Sequence, residues 1–325
     1  MSRRPVLDIA DGAMLLTAVI WAGNNLVVKD AVADIDPVAY VVVRFALGVA
    51  VLFPALHLAG IPVAIPRRDW PALVLAGVSG FAIYNTLYTV GLETTSAFSA
   101  ALLVSLGPVF TALIAVALGL EAIRPRQWLG IVVAVAGVSL FVGDKLSGAT
   151  PVWGDLLALG AALTFSVYSL ANRQMTTRSP AAAVIAWSTL VGLACMVPFG
   201  LPATLGQDWV AIGLAGWGAL LYSSVLSMLV GYSLWAWGIG RRGVGRTVPY
   251  LYLTPILTGI LAVLFQGEQF GPLKLAGAAV TLLGLALTRT RLPVRTPPDP
   301  VAATGVVAVD ETVVSARPAA GPRAT

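Results

Sequence analysis

The chain has 325 residues, of which 58% are hydrophobic and 11% charged, with a mean hydropathy of +0.88. A soluble domain is about a quarter charged, so this composition leaves almost no room for a soluble enzyme. The net charge of +5 comes from dispersed basic residues, so no nucleic acid is expected as a partner.

A single His (His57) and a single Cys (Cys195) rule out an intrachain disulfide or Cys/His zinc site. No metal or cofactor is expected. No Gly-rich loop ends in Lys-Ser or Lys-Thr, which argues against ATP drive within this chain.

A helix needs about 20 mostly apolar residues to cross the hydrocarbon core. Ten such stretches follow in chain order: roughly 11–28, 37–57, 70–91, 96–119, 126–142, 152–171, 181–199, 210–238, 245–266 and 272–288. Short connections rich in charge, Pro and Gly separate them. Arg3 and Arg4 before an apolar run mimic a signal peptide. Asp8, Asp11 and the segment Trp21-Ala-Gly-Asn-Asn25 oppose that reading, so the first span is expected to be retained. After about residue 290 the chain turns rich in Pro, Ala and Thr, the composition of a disordered tail.

Lys and Arg set orientation. Alternate connections, starting with the N-terminus, hold fourteen Arg, and the others hold only Lys29, Lys145 and Lys274. Arg44 falls within a span, and Arg317 and Arg323 fall in the tail, completing the twenty. Both termini are therefore expected in the cytoplasm, with an even number of spans.

The two halves repeat. A shift of 147 residues aligns Gly91 with Gly238, Pro108 with Pro255, Thr111 with Thr258 and Glu121 with Glu268. It also aligns Pro125 with Pro272, Gly130 with Gly277 and Gly137 with Gly284. A shift of 144 relates Trp21 to Phe165, Asn24 to Tyr168, Asn25 to Ser169 and Lys29 to Arg173. Five spans per half is odd, so the halves must be oppositely oriented, a plan common among secondary transporters. The expected fold is all-α and membrane-embedded, with ten transmembrane helices as two inverted five-helix repeats around a central cavity. Its parts are a cytoplasmic N-terminus (1–10), two repeats (11–145 and 146–289) and the tail (290–325).

Trp21-Ala-Gly-Asn-Asn25 with Lys29, Arg44-Phe45, Pro108 with Glu121, and the repeated Pro255, Glu268, Gly277 and Gly284 carry a family likeness. The sequence resembles the EamA-type family of the drug/metabolite transporter superfamily over about residues 10–290, with Trp-Ala-Gly where Trp-Gly is usual. The resemblance implies a secondary transporter of amino acids, other metabolites or drugs. The first guess is an exporter of amino acids or related metabolites. The alternatives are a drug or other metabolite permease, a membrane scaffold, or an intramembrane enzyme.

A polar group in hydrocarbon is costly and usually faces the bundle interior. Trp21, Asn24, Asn25 and Val28 share one helical face, as do Phe165, Tyr168, Ser169 and Asn172. These stripes, with Tyr84, Asn85, Tyr88, Ser224, Ser227 and Tyr250, are expected to line a substrate cavity. The bland alternative is that such residues bind helix to helix. Arg44 either grips a substrate carboxylate, or snorkels, or pairs with Asp34 or Asp36. Glu121 and Glu268 are expected to tie loops to helices. No Asp or Glu is expected near the middle of a span, so no coupling ion is evident. Pro108 and Pro255 are hinge candidates. The four spaced glycines suit close contact, either between spans or across a homodimer, so both monomer and dimer stay open.

Overall fold

A computed structural model describes residues 8–120, 122–147, 151–242 and 247–288, all helical or loop. The described residues all fall within one compact unit, Met1–Thr290, and residues 291–325 lie outside them. The expected tail therefore lies outside them too, as do Arg3, Arg4, Arg246 and Glu121.

Eight helices are long and apolar enough to cross a membrane. They are α1 (Ile9–Ala31), α2 (Pro37–Leu58), α3 (Arg67–Thr94), α4 (Ala97–Ala117), α5 (Pro125–Gly143), α6 (Trp153–Arg173), α7 (Ala181–Gly206) and α8 (Gly213–Trp235). Two shorter apolar helices follow, α9 (Tyr250–Gln266) and α10 (Pro272–Thr288). Their positions agree with the apolar stretches of the sequence to within a few residues at most ends.

Local chemistry explains the ends. Asp8 caps α1 by accepting from the amides of Ala10 and Asp11, and the Asp11 carboxylate returns a bond to the Asp8 amide. Asp36 caps α2, whose first residue is Pro37, a position that needs no N–H. Gly60 after α2 and Gly267 after α9 both adopt φ +65°, which a side chain would disfavour. The outward faces are apolar: Leu214 is 93% exposed and Phe265 77%. In water that surface would be unfavourable; facing lipid tails it costs nothing.

The closest helix pair is α5 with α10. Gly130 lies against Gly284–Thr288, Gly137 against Thr281, and Gly277 against Gly137–Phe141, so the two helices run antiparallel. A Cβ on Gly277 would come within 2.6 Å of the Phe141 amide nitrogen, and one on Gly284 would strike the Ala134 backbone. The glycine face is thus used within the chain, which leaves none of it for a dimer. The shift of 147 carries the Gly130–Gly284 contact onto the Gly277–Gly137 contact. The other helices cross-pack between halves: α3 lies against α6 and α7, and α8 lies against α1 and α2.

Backbone irregularities also recur at the repeat spacing. Part of α3, Gly77–Ile83, is π-helical, as is Tyr222–Gly231 in α8. Such bulges free backbone carbonyls; Asn85 donates to one of them, Gly80, at 3.1 Å. Helix α4 breaks between Ala97–Val104 and Gly107–Ala117. Helix α9 likewise begins as a 3-10 turn, Val248–Tyr252, before Leu253–Gln266.

Pro108 sits in the first turn after the break in α4, where the missing N–H needs no intrahelical partner, and Pro255 is the third residue of the α-helical segment that continues the 3-10 turn of α9. The Gly107 carbonyl accepts from the Thr111 hydroxyl of its own helix at 2.9 Å and from Ser166 of α6 at 2.8 Å.

Candidate functional site

Helix α1 touches α3, α4, α8 and α9, so its polar face is surrounded by other helices. The Trp21 indole N–H donates to the Ser227 carbonyl at 3.3 Å. Its ring lies 5.3 Å from Tyr232 and 5.7 Å from Trp235. Asn24 is buried; its Oδ1 accepts from the Ser223 hydroxyl at 2.8 Å, and Ser223 lies 2.6 Å from the Tyr40 hydroxyl. Asn25 bridges two helices, accepting from Tyr88 of α3 at 2.7 Å and donating to Thr258 of α9 at 3.0 Å. Both amides of this face are committed to helix–helix bonds. An amide left unpaired in a low-dielectric interior would cost more than it gains.

Arg44 is 7% exposed. Its Nε has no hydrogen-bond partner, and no ion pair to it is found among the described residues. Asp34 and Asp36 are exposed in the α1–α2 turn, and Asp36 is occupied as the α2 cap, so neither pairs with Arg44. The guanidinium lies 5.9 Å from the Phe45 ring and within electrostatic reach of Tyr40, Tyr84, Tyr88 and Tyr232. The Arg44 carbonyl accepts from the Ser224 hydroxyl at 2.9 Å, which fastens α2 to the π-helical part of α8.

An aromatic chain runs beside it. Tyr88 stacks on Tyr84 at 6.0 Å, and Tyr84 meets Phe165 at 5.1 Å. Phe165 meets Tyr168 at 5.3 Å, Tyr168 meets Phe81 edge-on at 5.6 Å, and Phe81 meets Phe45 at 5.9 Å. The chain begins and ends near Arg44. Trp21, Asn25, Tyr84, Phe165 and Tyr232 stay partly accessible despite these contacts.

Other expected site residues lie elsewhere or serve the backbone. The Tyr250 hydroxyl donates to Asp11 at the start of α1, away from Arg44. Asn85 serves the α3 bulge, and Ser169 donates to the Phe165 carbonyl at 2.9 Å in its own helix. Ser227 offers its carbonyl to Trp21. Ser223, Thr258 and Tyr40 complete the network and were not singled out as site residues. Tyr40 was findable, since it lies four residues before Arg44 on the same face of α2. Thr258 stood out only as a repeat match to Thr111.

Asp155 is fully buried in the first turn of α6 and accepts from the Thr95 hydroxyl. Asp11 is 6% exposed. The shift of 144 relates the two. Both stand at helix starts, where the dipole favours a carboxylate. No group of three or more metal-ligating side chains exists among the described residues.

Polar ties close both ends. At the end of α1, Lys29 donates to the Leu92 carbonyl at 2.5 Å, and Gln266 donates to Asp30 at 2.6 Å. At the opposite end of the bundle, Arg178 pairs with the buried Asp69 at 2.7 Å. A cleft of about 440 Å³ opens between α1 and α8, lined by Val27, Asp30, Asp34, Gly216, Ala219 and Tyr222. It does not include Arg44.

Comparison with known proteins gives a consistent picture. The pattern of the EamA-like transporter family matches residues 8–143 and again 152–290. A probable terminal-alkyne amino-acid exporter of Streptantibioticus cattleyicolor is 28% identical over 88% of this chain and 95% of its own length. A probable amino-acid metabolite efflux pump of Escherichia coli is 27% identical over 85% and 93%. An uncharacterized transporter of Archaeoglobus fulgidus is 25% identical over 86% and 96%. A crystal structure 24% identical to the chain superposes with a TM-score of 0.60, covering 87% of this chain and 99% of that one, a likeness of fold.

Proposed function

The chain belongs to the EamA-like transporter family, and we propose that it exports amino acids or related carboxylate metabolites by alternating access. It is a multi-pass membrane protein carrying two copies of the family repeat. In this reading α9 and α10 also cross the bilayer, making ten spans with both termini cytoplasmic and repeats at 11–145 and 146–289. The antiparallel α5–α10 pair, whose contacts exchange under the repeat shift, supports inversion of the halves. So do the matched π-helical stretches of α3 and α8.

The single observation that carries the substrate reading is Arg44. A buried guanidinium without an anion is unfavourable, and its planar fork suits a carboxylate. Trp21, Asn24, Asn25, Tyr84, Tyr88 and Tyr168 form the walls around the bound molecule, with Ser224 holding α2 in place. Asn85, Ser169, Ser227 and Tyr250 support the framework. The break before Pro108 and the 3-10 turn before Pro255 are the bending points. The names of the exporter and efflux-pump relatives support outward amino-acid transport.

Counterflow of radiolabelled amino acids in liposomes tests this reading. Flux should be lost in Arg44→Ala and reduced in Asn25→Ala. Unchanged flux in both variants refutes the site.

A further inference from the structure

The Arg44 site has a charge imbalance that constrains what it can hold. No Asp or Glu occurs at residues 12–29, 37–68, 70–92, 156–207 or 209–267. These ranges cover the parts of α2, α3 and α8 within reach of the guanidinium and of α1, α6 and α7 packed against them. The described acids of these helices are all at their ends. Asp11 is bonded by Tyr250, Asp30 by Gln266, Asp69 by Arg178 and Asp155 by Thr95. The site is therefore a buried cation without a counter-charge of its own.

An α-amino acid would bring a carboxylate and an ammonium together. The carboxylate would neutralise Arg44, but the ammonium would leave one uncompensated positive charge in the low-dielectric interior. Asn24 Oδ1 and Asn25 Oδ1 each already accept a hydroxyl, from Ser223 and Tyr88, and Asn172 Oδ1, which accepts none, is neutral and supplies no counter-charge. The faces of Tyr84 and Tyr232 would attract an ammonium. Both rings, however, lie within electrostatic reach of Arg44, which would repel it. A monocarboxylate whose amine is acylated or absent would neutralise the site completely. Its apolar remainder would meet Tyr84, Phe165 and Tyr168.

We propose that the Arg44 site prefers monoanionic carboxylates, such as N-acylated amino acids with an aromatic or apolar side chain, over the zwitterionic amino acids themselves. This rests on the reading of Arg44 as the carboxylate anchor and goes beyond it by fixing the net charge of the substrate.

The full chain in liposomes tests it with three probes of one side chain: N-acetylphenylalanine, phenylalanine and phenylalanine methyl ester. Counterflow and protection against thermal unfolding are read for each. The expected order is the anion at least tenfold above the zwitterion, with the cationic ester inactive. Arg44→Gln should abolish handling of the anion, and Arg44→Lys, which keeps the charge but not the fork, should retain part of it. A folded Arg44→Lys protein guards against misfolding as the cause of loss.

Equal or better handling of phenylalanine, still lost in Arg44→Gln, overturns the charge preference and leaves the anchor standing. Fluxes indifferent to both Arg44 substitutions overturn the anchor and the preference together. Absence of flux and of protection with all three probes does the same.

Discussion

The Tyr88 hydroxyl donates to Asn25 Oδ1 at 2.7 Å, joining α3 to the polar face of α1. The same amide donates to Thr258, so one side chain holds helices from both halves at a single point. A transporter that alternates between two packings needs such shared contacts, because they report which packing is occupied.

Removing the Tyr88 hydroxyl with Tyr88→Phe should cost about 1 kcal/mol of stability, the ordinary net worth of one hydrogen bond. Asn25→Ala should cost more, since it also strands Thr258. The two changes together should be less than additive, with a coupling of about 0.5–3 kcal/mol by double-mutant cycle. Thermal unfolding in detergent reads this, and additive losses would show that the bond is not formed.

The α5–α10 contact predicts opposite effects for two glycines of one helix. A Cβ at Gly137 would collide with the Thr281 backbone, whereas one at Gly143 meets nothing within 4 Å. Gly137→Ala should destabilise by about 1–3 kcal/mol through overpacking. Gly143→Ala should be neutral or stabilising by up to about 1 kcal/mol. Melting temperatures of the two variants decide between this and a looser pair.

Asp69 is buried with its Oδ2 unpartnered, and Arg178 is its only ion pair among the described residues. Arg178→Ala should cost about 1–3 kcal/mol, because it leaves a buried carboxylate uncompensated. The arginine side chain is 38% exposed, which keeps the figure below that of a fully buried pair. Combining Arg178→Met with Asp69→Leu should recover most of the loss. A double variant as unstable as the single one would contradict this account.

Orientation is testable because Cys195 is the only cysteine. In a Cys195→Ser background, Asp34→Cys and Gln269→Cys should react with an impermeant maleimide on intact cells. Arg124→Cys should react only after lysis. All three positions are exposed. Labelling of Gln269→Cys only after lysis would remove α9 or another helix from the membrane.

Much of the fold was legible in the sequence because the bilayer imposes simple rules. Apolar length marked the helices, and the glycines and prolines at one offset marked the repeat. The stripe of Trp21, Asn24 and Asn25 followed from helical spacing alone. The register of side chains across helices was not legible. Nothing in the neighbourhood of Asn85 says that its amide is spent on the Gly80 carbonyl, because the π-helical bulge that frees that carbonyl is set by packing. Tyr250 likewise read as a wall residue, yet its hydroxyl reaches Asp11, a contact between residues 239 apart.

The low charge content with which the sequence begins determined that the protein lives in a membrane, since too few polar groups exist to cover it in water. It also determined that Arg44 would be conspicuous. Whether that guanidinium had a partner was decided only by the tertiary structure. Distances between helices, not composition, set which carboxylates can reach it. The acids are held at helix ends by caps and hydroxyls, and Arg44 is left among aromatic rings.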